Sequence, residues 1–184
     1  MASYTLHLGL DWNGAPIGTF WASGDDHAGT YRFLQYALAS ATGAPAWFHF
    51  IAGDTLSVEL WDLTPAPPRD WALALSVALS FSALEATSAQ TLDPRTLVSF
   101  AGVAAVSNDD APSQLFLQLS SVNSAPGGSC PWGASAGHYA AGAVTFTSAA
   151  TYKVSFCVRA APQGGAEPPR IFVSDPEVIV GSRG

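Results

Sequence analysis

The sequence predicts an all-β domain spanning 1–184: an antiparallel β-sandwich of jelly-roll or immunoglobulin type, with about 8–10 strands and little helix. Three stretches of strict alternation carry that prediction. Tyr4, Leu6, Leu8 and Leu10 alternate with Thr5, His7, Gly9 and Asp11. Leu73, Leu75, Val77, Leu79, Phe81 and Ala83 alternate with Ala74, Ser76, Ala78, Ser80 and Ser82. Tyr152, Val154, Phe156 and Val158 alternate with Lys153, Ser155, Cys157 and Arg159. Period two places one set of side chains on a buried face and the other on a wetter one, whereas a helix needs apolar residues three and four apart.

The remaining strands follow in chain order. Gly18 to Trp21 comes after the Asn13-Gly14 turn signal. Tyr31 to Leu38 reads as a strand, with a short helix over Tyr31 to Ala41 as the alternative. Trp47 to Ile51 and Thr55 to Leu63 flank Gly53-Asp54, and Leu97 to Val106 and Leu115 to Val122 flank Asn108 to Pro112. Gly142 to Thr147, Ile171 to Val173 and Glu177 to Val180 complete the set. Gly, Pro, Asn and Asp clusters punctuate them. Asn123 to Gly142, rich in Gly, Ala, Ser and Pro, reads as a long loop. Proline at 176 fixes its own φ and donates nothing to a ladder. It separates the last strand from the one before and lets it switch sheets or pair at an edge.

Composition limits function. The 184 residues suit one domain. Only 11% are charged, so much of the surface is Ala, Ser, Thr, Gly and backbone, which solvates weakly and favours protein contact. The net charge is −7, with one lysine and six arginines. No basic run exists, which disfavours nucleic acid and anionic lipid as partners. No apolar run approaches the ~20 residues that span a bilayer, so no membrane partner is expected. The N-terminus shows no secretory signal, and a cytoplasmic location is expected. Cys130 and Cys157 fit free thiols in that compartment, with one bridge between them as the alternative.

Few constellations suggest chemistry. Gly133-Ala-Ser135-Ala-Gly137 matches the nucleophile-elbow pattern, and His138 follows it. An elbow needs a strand before the serine and a helix after it, and neither is predicted, so a small serine hydrolase is a remote alternative. The histidines His7, His27, His49 and His138 form no local ligand pair, although His7 and His49 lie on predicted strands that could meet. Asp25-Asp26 and Asn108-Asp109-Asp110 lack calcium-loop spacing. Cys157 alternates onto the wetter face beside Lys153 and Arg159, whose charges could lower its pKa, but no base accompanies it, so it reads as an ordinary thiol. No catalytic residue, metal ligand or cofactor is assigned. Six tryptophans are numerous for this length. Trp12, Trp71 and Trp132, at strand ends or in loops, with Asp11 and Asp70 beside two of them, are the candidate ligand-binding residues for a glycan, because exposed indoles stack on sugar rings; the plainer role is core filling.

The C-terminal pattern resembles a known family. Tyr152-Lys-Val154-Ser-Phe156, then Phe172-Val-Ser-Asp175-Pro176-Glu-Val178-Ile-Val180, is similar to the end of the bacterial inclusion-body proteins of the PixA/AidA family. Gly53-Asp54-Thr55-Leu56-Ser57 is similar to a G-D-T segment there, while Leu8-Gly-Leu-Asp11-Trp departs from the acidic turn that ends that family's first strand. The resemblance implies a β-sandwich that accumulates in the cytoplasm and self-associates, with no catalytic residues. Low charge and the Ala/Ser face of the Leu73–Ala83 strand support the same expectation: a non-enzymatic, self-associating protein whose partner is itself. A lectin-like carbohydrate-binding module is the alternative.

Overall fold

A computed structural model describes residues 1–16, 18–21, 28–40, 49–64, 73–84, 92–101, 104–106, 114–122, 130–133, 135–162, 170–173 and 178–181. Its strands are β1 (Ser3–Leu10), β2 (Gly18–Trp21), β3 (Ala28–Phe33), β4 (Gln35–Ser40), β5 (His49–Phe50), β6 (Thr55–Asp62), β7 (Leu73–Ala83), β8 (Val98–Phe100), β9 (Ala104–Val106), β10 (Gln114–Gln118), β11 (Ser120–Ser121), β12 (Gly137–Phe146), β13 (Tyr152–Pro162), β14 (Arg170–Val173) and β15 (Val178–Val180). The helix considered over Tyr31 to Ala41 does not form within the described residues. That stretch holds β3 and β4, broken at Leu34.

Two sheets pack face to face. The six-stranded sheet runs β11-β12-β6-β1-β4, with β8 beside β12. The nine-stranded sheet runs β2-β3-β14-β13-β7-β10-β9, with β15 beside β13 and β5 beside β15. The all-β sandwich is as the alternation predicts, but the sheets are mixed. β1 lies parallel to β6, β14 parallel to β3 and β15 parallel to β5. Parallel neighbours need long crossovers, and local alternation carries no trace of them.

The chain passes between sheets repeatedly. The predicted single strand over Leu97 to Val106 is two: β8 in the six-stranded sheet and β9 in the nine-stranded one. Leu115 to Val122 divides the same way at Leu119, whose N–H donates to the Leu75 carbonyl at 3.0 Å. The strand read from Gly142 begins at Gly137. Between Ala141 and Val144 two residues of β12 oppose one of β6, a bulge that keeps Tyr139 and Ala141 on the core side with Val144 and Phe146. That extra residue breaks the period, which hides the first half of the strand. The Asp175-Pro176 break does not move β15 to the other sheet. β14 and β15 both pair with β13 on one side, but their outer neighbours differ: β3 for the first and β5 for the second.

The inner faces meet in one apolar core. Leu6, Leu8, Leu10, Leu56, Val58, Leu60, Val144 and Phe146 come from one sheet. Leu75, Val77, Leu79, Phe81, Leu115, Leu117, Tyr152, Val154, Phe156 and Val158 come from the other. Rings cross the gap: Phe50 stacks on Phe146 with centroids 5.0 Å apart and meets Tyr4 edge-on at 4.9 Å. Asp54, buried, pins the start of β1 to the turn before β6, accepting from the N–H groups of Ala2 (2.7 Å) and Ile51 (3.2 Å). A buried carboxylate is tolerated because its oxygens are hydrogen-bonded. Gly53 beside it has φ +93°, a left-handed conformation that glycine takes without strain.

Truncation should separate the two faces of one sheet. Leu79→Ala, at a fully buried site on β7, is expected to cost about 2–5 kcal/mol. Ser155→Ala, exposed on neighbouring β13, should stay within about 0.5 kcal/mol of wild type. Urea denaturation checks both, and equal losses would mean that the assignment of inner and outer faces is wrong.

Candidate functional site

Three adjacent strands bring titratable side chains together on the outer face of the six-stranded sheet. His7 of β1 is directly opposite Glu59 of β6, and Trp61, two residues on, is opposite His138 of β12. Glu59 Oε2 lies 3.2 Å from His7 Nδ1 and 3.5 Å from His138 Nε2. The Trp61 indole stacks on the His138 ring at 3.8 Å with the planes 1° apart. Its Nε1–H reaches His7 Nδ1 at 3.3 Å. Period two sends all four outward from the core side chains Leu6, Leu8, Leu60 and Tyr139, yet Trp61 is only 4% exposed.

Trp132 lies over the same face, against Gly9. Gly9, the next outward-facing residue on β1, has no side chain, and a Cβ there would meet Leu63 Cδ1 at 2.7 Å and the Trp132 ring at 3.0 Å. The absence of a Cβ lets the indole close down on the sheet. The Trp132 segment is held by a turn, Gly133 N–H to Cys130 C=O at 3.2 Å, and by the Ala136 N–H on the Asp62 carbonyl at 2.7 Å.

The cluster has a definite protonation chemistry. His7 Nδ1 cannot both accept from Trp61 and donate to Glu59. With a lone pair on Nδ1 it takes the indole N–H; with a proton there it donates to the carboxylate. The side-chain hydrogen bond from His7 is the largest influence on Glu59. It outweighs the opposing effect of burial and, with His138, holds the carboxyl below the ordinary carboxylate range. Among the described residues no group of three or more His, Cys, Asp or Glu is placed to hold a metal ion.

The candidates read from the sequence fare differently. Trp12 is 2% exposed, packed 6.0 Å from Phe172 with the Arg170 guanidinium 4.2 Å over its ring, and its carbonyl accepts from Arg170. It closes one end of the sandwich and offers no surface platform for a sugar. Asp11 shapes the turn that follows, accepting from Asn13 N–H through its side chain and from Gly14 N–H through its backbone. Trp132 is half-buried on the outer face. Trp71 and Asp70 lie outside the described residues, as do His27, Asp25-Asp26 and Asn108-Asp109-Asp110. His7 converges with His138 and not with His49, which is on β5 of the other sheet. Ser135 is exposed and precedes a strand, β12, where an elbow would need a helix. Cys130 and Cys157 are free thiols. The cations beside Cys157 do not activate it: burial pushes its thiol up.

The outer face of the nine-stranded sheet is of another kind. Register places Phe116, Ala78, Cys157 and Val173 in one row across β10, β7, β13 and β14. Ala78 in that row is only 3% exposed although it points away from the core. Serines flank it at 76, 80, 82 and 155, and among the described residues its charged groups are Lys153 and Arg159.

Fold and surface thus define an all-β sandwich with one polar cluster and one flat, weakly charged face. No protein-family model, curated protein or solved structure matches the chain. Among the described residues no helix is long and apolar enough to cross a membrane.

The cluster can be tested through pH and through packing. A carboxyl titrating below its unfolded value of about 4.5 stabilises the fold above that pH, and the contribution is lost as pH falls through the lower folded value. The stability difference between wild type and Glu59→Gln should therefore be fully present near neutrality and shrink below about pH 4.5, measured by urea midpoints across that range; a difference that grows on acidification contradicts it. Gly9→Val should cost about 1–3 kcal/mol through overpacking and shift tryptophan emission to the red as Trp132 lifts from the sheet. An unshifted spectrum would count against that packing.

Proposed function

We propose that the chain is a non-catalytic, self-associating β-sandwich protein that builds its own assembly in the cytoplasm, in the manner of an inclusion-body protein. One observation carries the reading: the outer face of the nine-stranded sheet, crossed by Phe116, Ala78, Cys157 and Val173 among serines. Small side chains leave little relief, so another sheet can approach to about the 10 Å at which sheets pack. Few charges there need desolvation.

A second reading rests on Trp132. Its half-buried indole shares a face with the Glu59 carboxylate and two imidazoles, so ring stacking and hydrogen-bonding groups of the kind a glycan uses occur together.

Size-exclusion chromatography with light scattering discriminates these readings. Self-association predicts a mass that rises with protein concentration above the 19.1 kDa of one chain. A mass fixed at one chain at millimolar concentration would refute it. The glycan reading predicts that a sugar-binding screen finds ligands whose retention Trp132→Ala abolishes, and a screen without hits ends it.

A further inference from the structure

One inward-facing cation lacks a counterpart among the described residues. Arg32 of β3 lies opposite Phe172 of β14 in parallel register, so it shares the face of a fully buried ring. Arg170, two residues before Phe172, shares that face as well. The two arginines differ in what they meet. Arg170 donates to the Trp12 carbonyl and sets its guanidinium 4.2 Å over the Trp12 ring. Arg32 forms no ion pair with a described residue, and its Nε–H is shut off from solvent with no acceptor. A guanidinium stays charged in a protein, and a charged donor left without an acceptor is costly. The Arg32 side chain as a whole is still half-exposed, so a molecule from solution can reach it.

Arg32 stands where the sandwich is open. The chain crosses from one sheet to the other at Leu34, with Arg32 two residues before and Tyr36 two residues after. Tyr36 is opposite Leu8, which is fully buried, so its ring also belongs to the inner face. It meets Phe156 edge-on at 6.3 Å and is nevertheless 40% exposed. A side chain directed between the sheets and yet wet marks a gap between them beside β3 and β4. The gap has a cationic side at Arg32 and an aromatic side at Tyr36, and the buried side chains of Leu34, Phe156 and Phe172 lie behind.

We infer that this gap binds a small carboxylate with an apolar body. A carboxylate is planar and singly charged, and it takes two parallel hydrogen bonds from one edge of a guanidinium. The edge made by Nε–H and a neighbouring Nη–H is the one that Arg32 leaves open at Nε. The apolar body of the ligand then lies against the Tyr36 ring. A phosphate dianion fits less well: Arg170 is engaged with Trp12, and Arg32 alone supplies one charge against two. The site is independent of self-association, because Arg32 and Tyr36 both belong to inner faces.

The native chain is its own reporter. Its six arginines give six Nε–H signals in a ¹H–¹⁵N spectrum, and the signal lost in Arg32→Gln belongs to Arg32. Titration with sodium benzoate at constant ionic strength should move that signal saturably. Benzamide, of the same size but uncharged, should leave it in place. Isothermal titration calorimetry should show benzoate binding that Arg32→Gln weakens by about tenfold or more. Arg32→Lys should recover part of it, since it keeps the charge and loses the fork. Arg95→Gln removes an exposed arginine paired with Asp93 and should bind as native protein does. Circular dichroism confirms that each variant folds. Should Arg32→Gln fail to fold, through-bond assignment identifies the signal, and the contrast of benzoate with benzamide on native protein decides.

Four results would overturn the site. Equal responses to benzoate and benzamide mean an apolar gap that reads no carboxylate. Equal weakening by Arg32→Gln and Arg95→Gln means attraction to overall charge. Tighter binding of inorganic phosphate through Arg32 means that the class of anion is wrong. No saturable movement of the Arg32 signal with benzoate or butyrate means that the gap takes no carboxylate.

Discussion

The antiparallel pairing of β7 with β13 is the constraint on which the rest of the structure depends. It runs eleven residues without a slip, from Tyr152 opposite Ala83 to Pro162 opposite Leu73. Its register puts Leu75, Val77, Leu79 and Phe81 on the same face as Ala160, Val158, Phe156 and Val154, and all eight are buried. The same register puts Ser76, Ala78, Ser80 and Ser82 beside Arg159, Cys157, Ser155 and Lys153 on the other side. A shift of one residue would exchange the two sets and leave the core without its second layer. β10 and β9 extend the sheet from β7; β14, β15, β3, β2 and β5 extend it from β13. The flat outer face is therefore a consequence of the same pairing that builds the core.

What the sequence reveals follows from how local each signal is. Both partners of that central pair are legible, because Leu73–Ala83 and Tyr152–Val158 alternate cleanly. The first half of β12 is not. Gly137, Ala140 and Ala141 are weak strand formers, and the bulge before Val144 shifts the period by one. The parallel pairing of β1 with β6 joins residues 52 positions apart through backbone hydrogen bonds, and no local pattern encodes it. The divisions at Leu34 and Leu119, and between β8 and β9, are equally silent, since a strand that changes sheets keeps its alternation.

The polar cluster shows the same limit more sharply. His7, Glu59, Trp61 and His138 come from three strands that only the finished sheet makes neighbours. Their outward parity is readable, but their proximity is not. The residues just before His138 present only the Gly-Ala-Ser motif around Ser135, which suggests an elbow and conceals a strand start. Trp12 errs in the opposite direction: a strand-end tryptophan next to an aspartate reads as exposed, yet Arg170, 158 residues away, closes over it. Cys157 has cations near it in sequence, but burial governs its thiol.

Charge follows the layers. Acidic side chains are absent from every strand of one sheet, and Lys and Arg from every strand of the other. On the flat face, a contact therefore covers the row of Phe116, Ala78, Cys157 and Val173 without desolvating a carboxylate of any described strand. Sedimentation velocity of the native protein beside Ser155→Glu, which sets a carboxylate at an exposed position on that face, tests the link between the flat face and association most directly. Association of the native protein that is lost in the variant is the predicted result. Association that the variant keeps at native strength would contradict it.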